Sequence, residues 1–199
     1  MPKIVDHEKQ REKVAEATWR VIQKMGLDQA SVRNIADEAG LSVGSMRHYF
    51  STHSELLFYA MKMVSDRVGK RIANIDFSGD HLTDIPLLVD EILPTDEEKR
   101  LEMEVWFAFV VKSLSDKDLA RYRLEVDDGL RSIFIEIMDG LAAKNLAAPD
   151  LDAELEIERF YALIDGLAIH AVLRPEKMPA DLMRRTVYRH LQSLCRPSE

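Results

Sequence analysis

The stretch that most constrains the fold of this chain is residues 31–50, SVRNIADEAGLSVGSMRHYF, which predicts two short helices joined by a tight turn. In the first helix, apolar side chains recur at the three- and four-residue spacing of one helix face. They are Val32, Ile35, Ala36 and Ala39. Ser31 can cap this helix with its hydroxyl, and Gly40 can end it, because glycine adopts a left-handed backbone without steric cost. Ser42 can then cap a second helix, predicted over 43–49.

Two helices joined in this way are typical of a helix-turn-helix, whose second helix enters the major groove of DNA. The predicted second helix suits that contact, because its two turns are rich in hydrogen-bonding groups. Arg47 can bond a guanine edge or pair with a phosphate, and the sequence leaves both open. The alternative is a helical hairpin with a polar face. We predict DNA contacts from Ser31, Val32, Arg33, Ser42, Val43, Gly44, Ser45, Arg47, His48, Tyr49 and His53.

The segment VRNIADEAGLSVGSMRHYF, followed by a polar link and SELL, resembles the N-terminal domain of the tetracycline-repressor (TetR) family of bacterial transcription regulators. The resemblance covers about residues 8–65. It implies an all-α fold of about nine helices, with a three-helix DNA-binding domain followed by a helical ligand-binding and dimerisation domain. Two positions depart from the usual pattern. Arg47 stands where tyrosine is usual, and His53 stands where a phosphate-contacting lysine is usual, which weakens one expected contact and makes it sensitive to pH.

The net charge of −8 is unusual for a DNA-binding chain, but the charges are unevenly distributed. Residues 1–60 carry eight Lys or Arg and eight Asp or Glu, so the predicted DNA-binding segment is neutral. All the excess negative charge lies in residues 61–199. We therefore expect salt-sensitive DNA binding through locally placed cations. The charged face of the first helix, with Lys9, Arg11, Lys13 and Arg20, is interpreted as mostly solvated.

Other features limit the class of protein. No apolar run is long enough to span a bilayer, and the charged N-terminus does not look like a secretory signal, so we expect a cytoplasmic protein without a membrane partner. The single Cys195 forms no internal disulfide and is interpreted as a packing residue, with a redox sensor as the alternative. No Gly-rich phosphate loop, HExxH, CxxC or nucleophile elbow is present, so we expect no enzyme, no cofactor and no metal.

We predict three regions, which are a DNA-binding domain over 1–54, a connecting helix over 55–74 and an effector-binding and dimerisation domain over 75–199. Ser54 is the predicted cap of the connecting helix, and Thr95 with Glu98 is a predicted capping box. The other helices are expected at about residues 6–25, 82–93, 96–113, 116–144, 151–173 and 180–195.

Aromatic side chains cluster in the helix over 96–113, where they can line a ligand cavity or simply form the core. The segments LPTDEEKRLEMEVWFAFVVKSLSDKDL and ERFYALIDGLAIHAVL resemble the effector domain of the TetR subgroup that includes the choline-responsive repressor of betaine synthesis. The resemblance implies an effector site but leaves the effector unknown. The candidate ligand-binding residues are Met103, Trp106, Phe107, Val110, Tyr122, Val126, Phe134, Tyr161 and Asp165.

The second half of the helix over 151–173 is apolar nearly all round, which predicts that two of its sides are buried. One side can face its own domain and the other a second copy of the chain. Asp165 and His170 in this helix can contact a ligand, the core or the partner chain. The predicted interface residues are Leu163, Leu167, His170, Val187 and Leu191.

These features together predict a ligand-responsive, dimeric transcription regulator that binds double-stranded operator DNA. We expect a repressor that a small-molecule effector releases from a palindromic operator, since a two-fold dimer reads two half-sites. The alternatives are a helical ligand-binding dimer that no longer binds DNA and a helical enzyme.

Overall fold

The computed structural model describes residues 7–26 and 29–196, which form nine helices and one isolated β-bridge. The all-α fold class is therefore confirmed for this part of the chain. None of these helices is long and apolar enough to cross a membrane. The helices are α1 (His7–Met25), α2 (Val32–Ala39), α3 (Val43–Arg47), α4 (His53–Ala73), α5 (His81–Asp90), α6 (Glu97–Ser113), α7 (Lys117–Ala143), α8 (Ala153–Leu173) and α9 (Ala180–Leu194).

The predicted start of α4 is wrong in detail. The helix begins at His53, and the Thr52 hydroxyl accepts from the Glu55 amide at 3.0 Å. Ser54 lies inside the first turn, and its hydroxyl donates to the Asp116 carboxylate at 2.5 Å. Because the Ser54 hydroxyl bonds Asp116, a partner far away in the chain, Thr52 caps the helix in its place.

The predicted capping box of α6 is also wrong. The Asp96 carboxylate accepts from the Lys99 amide at 2.8 Å and so caps the helix. The Thr95 hydroxyl instead donates to the Asp90 carboxylate at 3.2 Å. Aspartate caps as well as threonine does, so the cap moved by one residue once Thr95 had another partner. The expected first residue of α1, Asp6, lies outside the described residues.

Cys195 follows α9, and its backbone pairs with Ala147 in the isolated bridge. Burial raises the pKa of its thiol. A raised pKa lowers the thiolate fraction, which favours the packing interpretation over a redox sensor.

The helices fall into two compact units, the N-terminal unit (residues 1–67 and 104–123) and the C-terminal unit (residues 68–103 and 124–199). Fully buried side chains of the N-terminal unit include Ile35, Met46, Leu56, Leu57 and Phe109, and those of the C-terminal unit include Leu93, Phe134, Leu141, Phe160, Met183 and Leu191. The borders fall inside α4, α6 and α7. The predicted regions 1–54, 55–74 and 75–199 follow the chain order and stay a prediction.

Candidate nucleic-acid interface

The turn between α2 and α3 has the geometry that the sequence predicts. The Ser31 hydroxyl accepts from the Asn34 amide at 3.2 Å, and the Ser42 hydroxyl accepts from the Ser45 amide at 3.0 Å. Gly40 follows α2 with φ +68°, the left-handed conformation that a side chain would strain. Two serine caps and one glycine therefore fix the ends of both helices and the turn between them.

The short helix α3 is anchored from its inner side. Met46 and Phe50, four residues apart, are 1% and 2% exposed, as the sequence predicted. The helix ends at Arg47, so His48 and Tyr49 lie in the following turn rather than in the helix. Tyr49 is half-buried, and its ring centroid lies 5.0 Å from that of His7.

The outer side of α2 and α3 presents hydrogen-bonding groups. Arg33, Ser42, Gly44, Arg47 and His48 are exposed, whereas the other predicted contact residues of α2 and α3, Val32, Val43 and Ser45, are half-buried. Within the part of the chain that the structure describes, the guanidinium groups of Arg33 and Arg47 have no ion-pair partner. The exposed face can therefore offer two positive charges to a polyanion, although the chain as a whole is acidic.

His53 has an internal partner that the sequence did not indicate. Its Nε2 lies 2.7 Å from the carbonyl oxygen of Ala30, and the side chain is half-buried. The ring thus ties the first turn of α4 to the residue before Ser31. The predicted phosphate contact of His53 stays a prediction, and because Nε2 bonds the Ala30 carbonyl oxygen, the ring nitrogen left for a phosphate is Nδ1.

Two arginines of α1 act inside the N-terminal unit, contrary to the prediction of a mostly solvated face. Arg20 donates to the Glu38 carboxylate at 2.8 Å, and this bond, with a second from Lys24, lowers the pKa of Glu38. Arg11 lies over the rings of Phe50 and Tyr59, 4.6 and 4.7 Å from their centroids.

These contacts join α1 to α2 and to the segment around α3, so they hold the exposed face in place. A charged residue on a helix face gives no sequence signal of such a tertiary partner.

The candidate ligand-binding residues fall in both units. Trp106, Phe107, Val110 and Tyr122 lie in the N-terminal unit and are half-buried. Their cluster also includes Phe109, which belongs to the aromatic helix predicted over 96–113, and Phe58, which the sequence analysis did not assign. Phe109 lies between Trp106 and Tyr122, with ring centroids 5.8 Å from each, and the ring centroid of Phe58 lies 4.5 Å from that of Tyr122.

The remaining candidates lie in the C-terminal unit, where Met103 and Val126 are half-buried. Phe134 is fully buried against Phe160 and Tyr161, so its predicted ligand contact is corrected to a core role. The Tyr161 hydroxyl donates to the Asp127 carboxylate at 3.5 Å. Desolvation, followed by the Asp127 charge, raises the pKa of Asp165. The sequence analysis did not assign Asp127 to the site, because nothing in the local pattern distinguishes it from the other acidic residues of α7.

Three of the five predicted interface residues need the same correction. Leu167, Val187 and Leu191 are buried within their own chain, whereas Leu163 is half-buried and His170 is exposed. Helical spacing showed that α8 is apolar on two sides but not which side faces inward. The outward side carries residues that the sequence analysis did not assign to the interface, namely Leu155, Ala162, Gly166, Ile169 and Leu173. The two small residues, Ala162 and Gly166, lie in the middle of this side.

A groove of about 1130 Å³ lies in the C-terminal unit beside α5 and α9. Its walls include Leu87 of α5 and Tyr188 of α9, and none of the predicted ligand-binding residues lines it. The described residues contain no group of three or more His, Cys, Asp or Glu side chains that could hold a metal ion.

Two family descriptions match successive parts of the sequence. Residues 14–60 match the bacterial regulatory proteins of the tetR family, and residues 84–196 match the C-terminal region of BetI-type transcriptional repressors. The first range contains the helix-turn-helix, and the second covers more than half of the chain.

Similar proteins extend over nearly the whole length. The HTH-type transcriptional regulator PksA of Bacillus subtilis is 45% identical over 98% of this chain and 94% of its own. A BetI regulator of Stenotrophomonas maltophilia is 28% identical over 96% of this chain and 95% of its own. A solved transcriptional regulator from Rhodococcus sp. Rha1 has a TM-score of 0.81 and 27% identity, covering 92% of this chain and 95% of its own.

A regulator from Saccharomonospora viridis, solved in complex with choline, has a TM-score of 0.83 and covers 96% of this chain and all of its own. Its sequence is 22% identical, so this likeness shows the fold alone. The fold and the exposed helix-turn-helix define the class of protein: a DNA-binding regulator whose C-terminal region is also helical. This chain belongs to the TetR family of bacterial transcriptional regulators, with a BetI-type C-terminal region. The matching family and the similar proteins are named as transcriptional regulators.

Arg47→Ala tests the exposed face of α3. We expect binding of a specific duplex to weaken by about 1–3 kcal/mol, the usual cost of losing one good base contact, without a change in the thermal midpoint. Equal weakening on specific and random duplexes would assign Arg47 to a phosphate, and a loss confined to one base position would assign it to that base. The measurement is fluorescence anisotropy at fixed salt. Arg185→Ala, which removes another exposed charge, from α9, is the control. Unchanged affinity of Arg47→Ala would exclude the assigned role.

Proposed function

We propose that this chain is a dimeric repressor that binds a palindromic operator and is released by a small-molecule effector. The observation that carries this proposal is the exposed face of α2 and α3, where Arg33 and Arg47 have no partner among the described residues while Met46 and Phe50 anchor the helix. Because these side chains have no hydrogen bond or ion pair to break within the described residues, binding a phosphate or a base edge costs little free energy. We assign DNA binding to residues 1–54, transmission to 55–74 and effector binding with dimerisation to 75–199.

A homodimer is supported by the outward side of α8. Leu155, Ile169 and Leu173 are among the most exposed large apolar residues of the described chain. Ala162 and Gly166 lie between them, and small residues let two helices approach closely. A two-fold contact along this side would bury the apolar stripe in both copies and present two recognition helices to one face of a duplex.

The effector that fits the C-terminal unit best is a small organic cation. Asp127 and Asp165 are two carboxylates that repel each other: desolvation, followed by the charge of Asp127, raises the pKa of Asp165, and the Asp127 carboxylate accepts from the Tyr161 hydroxyl. A cation between them would relieve this repulsion, and an aromatic face attracts cations as well. Choline, which is bound in the Saccharomonospora viridis regulator, is the first compound to try.

Selection of bound sequences from random duplex DNA tests the proposed function directly. We expect a palindromic winner with two half-sites, bound about 1000-fold or more above random DNA, with an affinity that falls steeply as salt rises. No enrichment by a folded dimer, with and without choline, would instead support a helical dimer that no longer reads DNA.

Ile169→Glu tests the dimer. A charge in the apolar stripe should dissociate the copies, because burying it without a partner costs several kcal/mol. Sedimentation velocity should show a folded monomer, and the helical signal in circular dichroism should be retained. Leu114→Glu is the matched control, since Leu114 is 79% exposed and lies outside this stripe. A dimer as stable as the unmodified chain would place the interface elsewhere.

Asp165→Asn tests the effector site. It should weaken choline binding by about fivefold, on the order of 1 kcal/mol, because an exposed charge pair contributes about that much. In the unmodified chain the raised pKa keeps Asp165 protonated, and therefore neutral, up to a higher pH than an ordinary aspartate. Choline binding should therefore strengthen as pH rises through that pKa, and this pH dependence should disappear in Asp165→Asn. Isothermal titration measures both effects.

The control for charge is 3,3-dimethyl-1-butanol, which has the shape of choline without its positive charge. It should bind both proteins equally weakly. Choline binding that is the same in the two proteins at every pH would exclude Asp165 from the effector site.

A further inference from the structure

The turn that follows α3 carries two of the predicted DNA contacts outside the helix itself. Helix α3 has five residues and ends at Arg47, so His48 and Tyr49 lie beyond it. A helix this short cannot fix the direction of its own last turn. The direction in which Arg47 and His48 point therefore depends on how the next two residues, Phe50 and Ser51, are held.

Phe50 is held from two sides within the N-terminal unit. The residue is 2% exposed, and its ring centroid lies 5.5 Å from that of Tyr59 in α4, in an edge-on arrangement. The guanidinium of Arg11 in α1 lies 4.6 Å from the Phe50 centroid and 4.7 Å from the Tyr59 centroid. The attraction between a cation and an aromatic ring grows as the cation is desolvated, and the Arg11 side chain is only 22% exposed. One guanidinium thus holds both rings.

Ser51 is held by a carboxylate that Arg11 also contacts. The Ser51 amide and hydroxyl both donate to one oxygen of Glu55, at 2.8 and 2.9 Å. The other Glu55 oxygen accepts from Nη1 of Arg11 at 3.5 Å. Hydrogen bonds to an ionised carboxylate are stronger than those between neutral groups. Arg11 thus contacts both Phe50 and the partner of Ser51.

The shape of the guanidinium makes this arrangement possible. The group is planar, so its face can lie over aromatic rings while an N–H at its edge donates to a carboxylate. A lysine ammonium carries the same charge but is a compact group on a flexible stem, without a flat face. Arg11→Lys therefore removes the stacking geometry and keeps the charge.

Arg11 also differs from the arginines of the exposed face. Arg33 and Arg47 are exposed and have no ion-pair partner among the described residues. Arg11 is instead occupied by two rings and a carboxylate, and a phosphate would have to displace these contacts. Its effect on DNA binding is therefore exerted through the turn after α3.

We infer that Arg11 is a positioning residue for sequence recognition. Its contacts with the two rings and with Glu55 keep residues 48–51 in the setting from which His48 and the side chains of α3 reach the bases. The inference rests on the proposed DNA binding and concerns the N-terminal unit alone. Arg11 itself does not contact DNA. When its contacts are lost, the turn takes up several settings, and the apparent affinity for the selected sequence falls by the fraction that remains correctly set.

A selected duplex and random duplex DNA separate this role from others. Random DNA is bound through charge, which a change in the direction of the turn does not alter. A positioning defect therefore weakens binding to the selected duplex alone. A loss of folded protein lowers the active concentration for both duplexes equally, and the loss of a phosphate contact weakens both and reduces the salt dependence.

The experiment compares Arg11→Lys with the unmodified chain on the selected palindrome and on a random duplex of the same length. Fluorescence anisotropy over a range of salt concentrations gives both affinities and their salt dependence. We expect the variant to bind the palindrome at least about fivefold more weakly, which corresponds to both turns being correctly set in about one dimer in five. The affinity for random duplex and its salt dependence should be unchanged, because the charge is kept.

Arg67→Lys is the matched control. Arg67 also joins α4 to α1 through a ring and a carboxylate, because its guanidinium lies 4.1 Å from the ring centroid of Trp19 and one nitrogen lies 3.7 Å from the Glu16 carboxylate. These two partners lie in α1 rather than in the turn after α3. Arg67→Lys should therefore match the unmodified chain on both duplexes, and a palindrome-specific loss of equal size in this variant would overturn the inference.

Unchanged binding of Arg11→Lys to the palindrome would also overturn the inference, and so would an equal loss on both duplexes. If circular dichroism shows that Arg11→Lys does not fold, Arg11→Gln is judged by the ratio of its affinities for the two duplexes. An unmodified chain that selects no duplex would refute the proposed function. One that binds normally, while the variants show no palindrome-specific loss, would refute only the role of Arg11.

Discussion

The turn between α2 and α3 is the constraint on which the rest of the DNA-binding surface depends. Gly40 adopts φ +68° there, and the hydroxyls of Ser31 and Ser42 satisfy amides at the start of each helix. Because α3 has only five residues, its own hydrogen bonds cannot keep it folded in isolation. The cap and the burial of Met46 and Phe50 supply the missing stability, and they leave Arg47 on the outside.

Charged residues have two separate uses in this chain. Arg33 and Arg47 are exposed on the helix-turn-helix, where an anion can reach them. Arg11, Arg20 and Arg71 instead hold helices together through carboxylates and aromatic rings. The acidic excess of residues 61–199 includes the partners of Arg71, so part of the negative charge is neutralised internally rather than displayed to DNA.

The sequence predicted the local features of the site well. Both serine caps, the glycine turn and the two apolar anchors of α3 depend on neighbours within four residues, and the structure confirms each of them. Wherever a distant partner competes, the prediction failed. Ser54 bonds Asp116 rather than capping α4, and Arg20, which was interpreted as mostly solvated, bonds Glu38.

The sequence by itself determined the all-α class, the position of nearly every helix and the helix-turn-helix, because periodicity, caps and glycines act over a few residues. Only the tertiary structure decided which side of α8 faces inward, since Leu167 and Ile169 are both apolar but are 5% and 42% exposed. It also decided that Arg71 bonds the carboxylates of Glu91 and Glu102, which lie 20 and 31 positions further along the chain. Contacts between residues far apart in the chain leave no mark in local spacing, and the geometry of the packed helices alone brings them together.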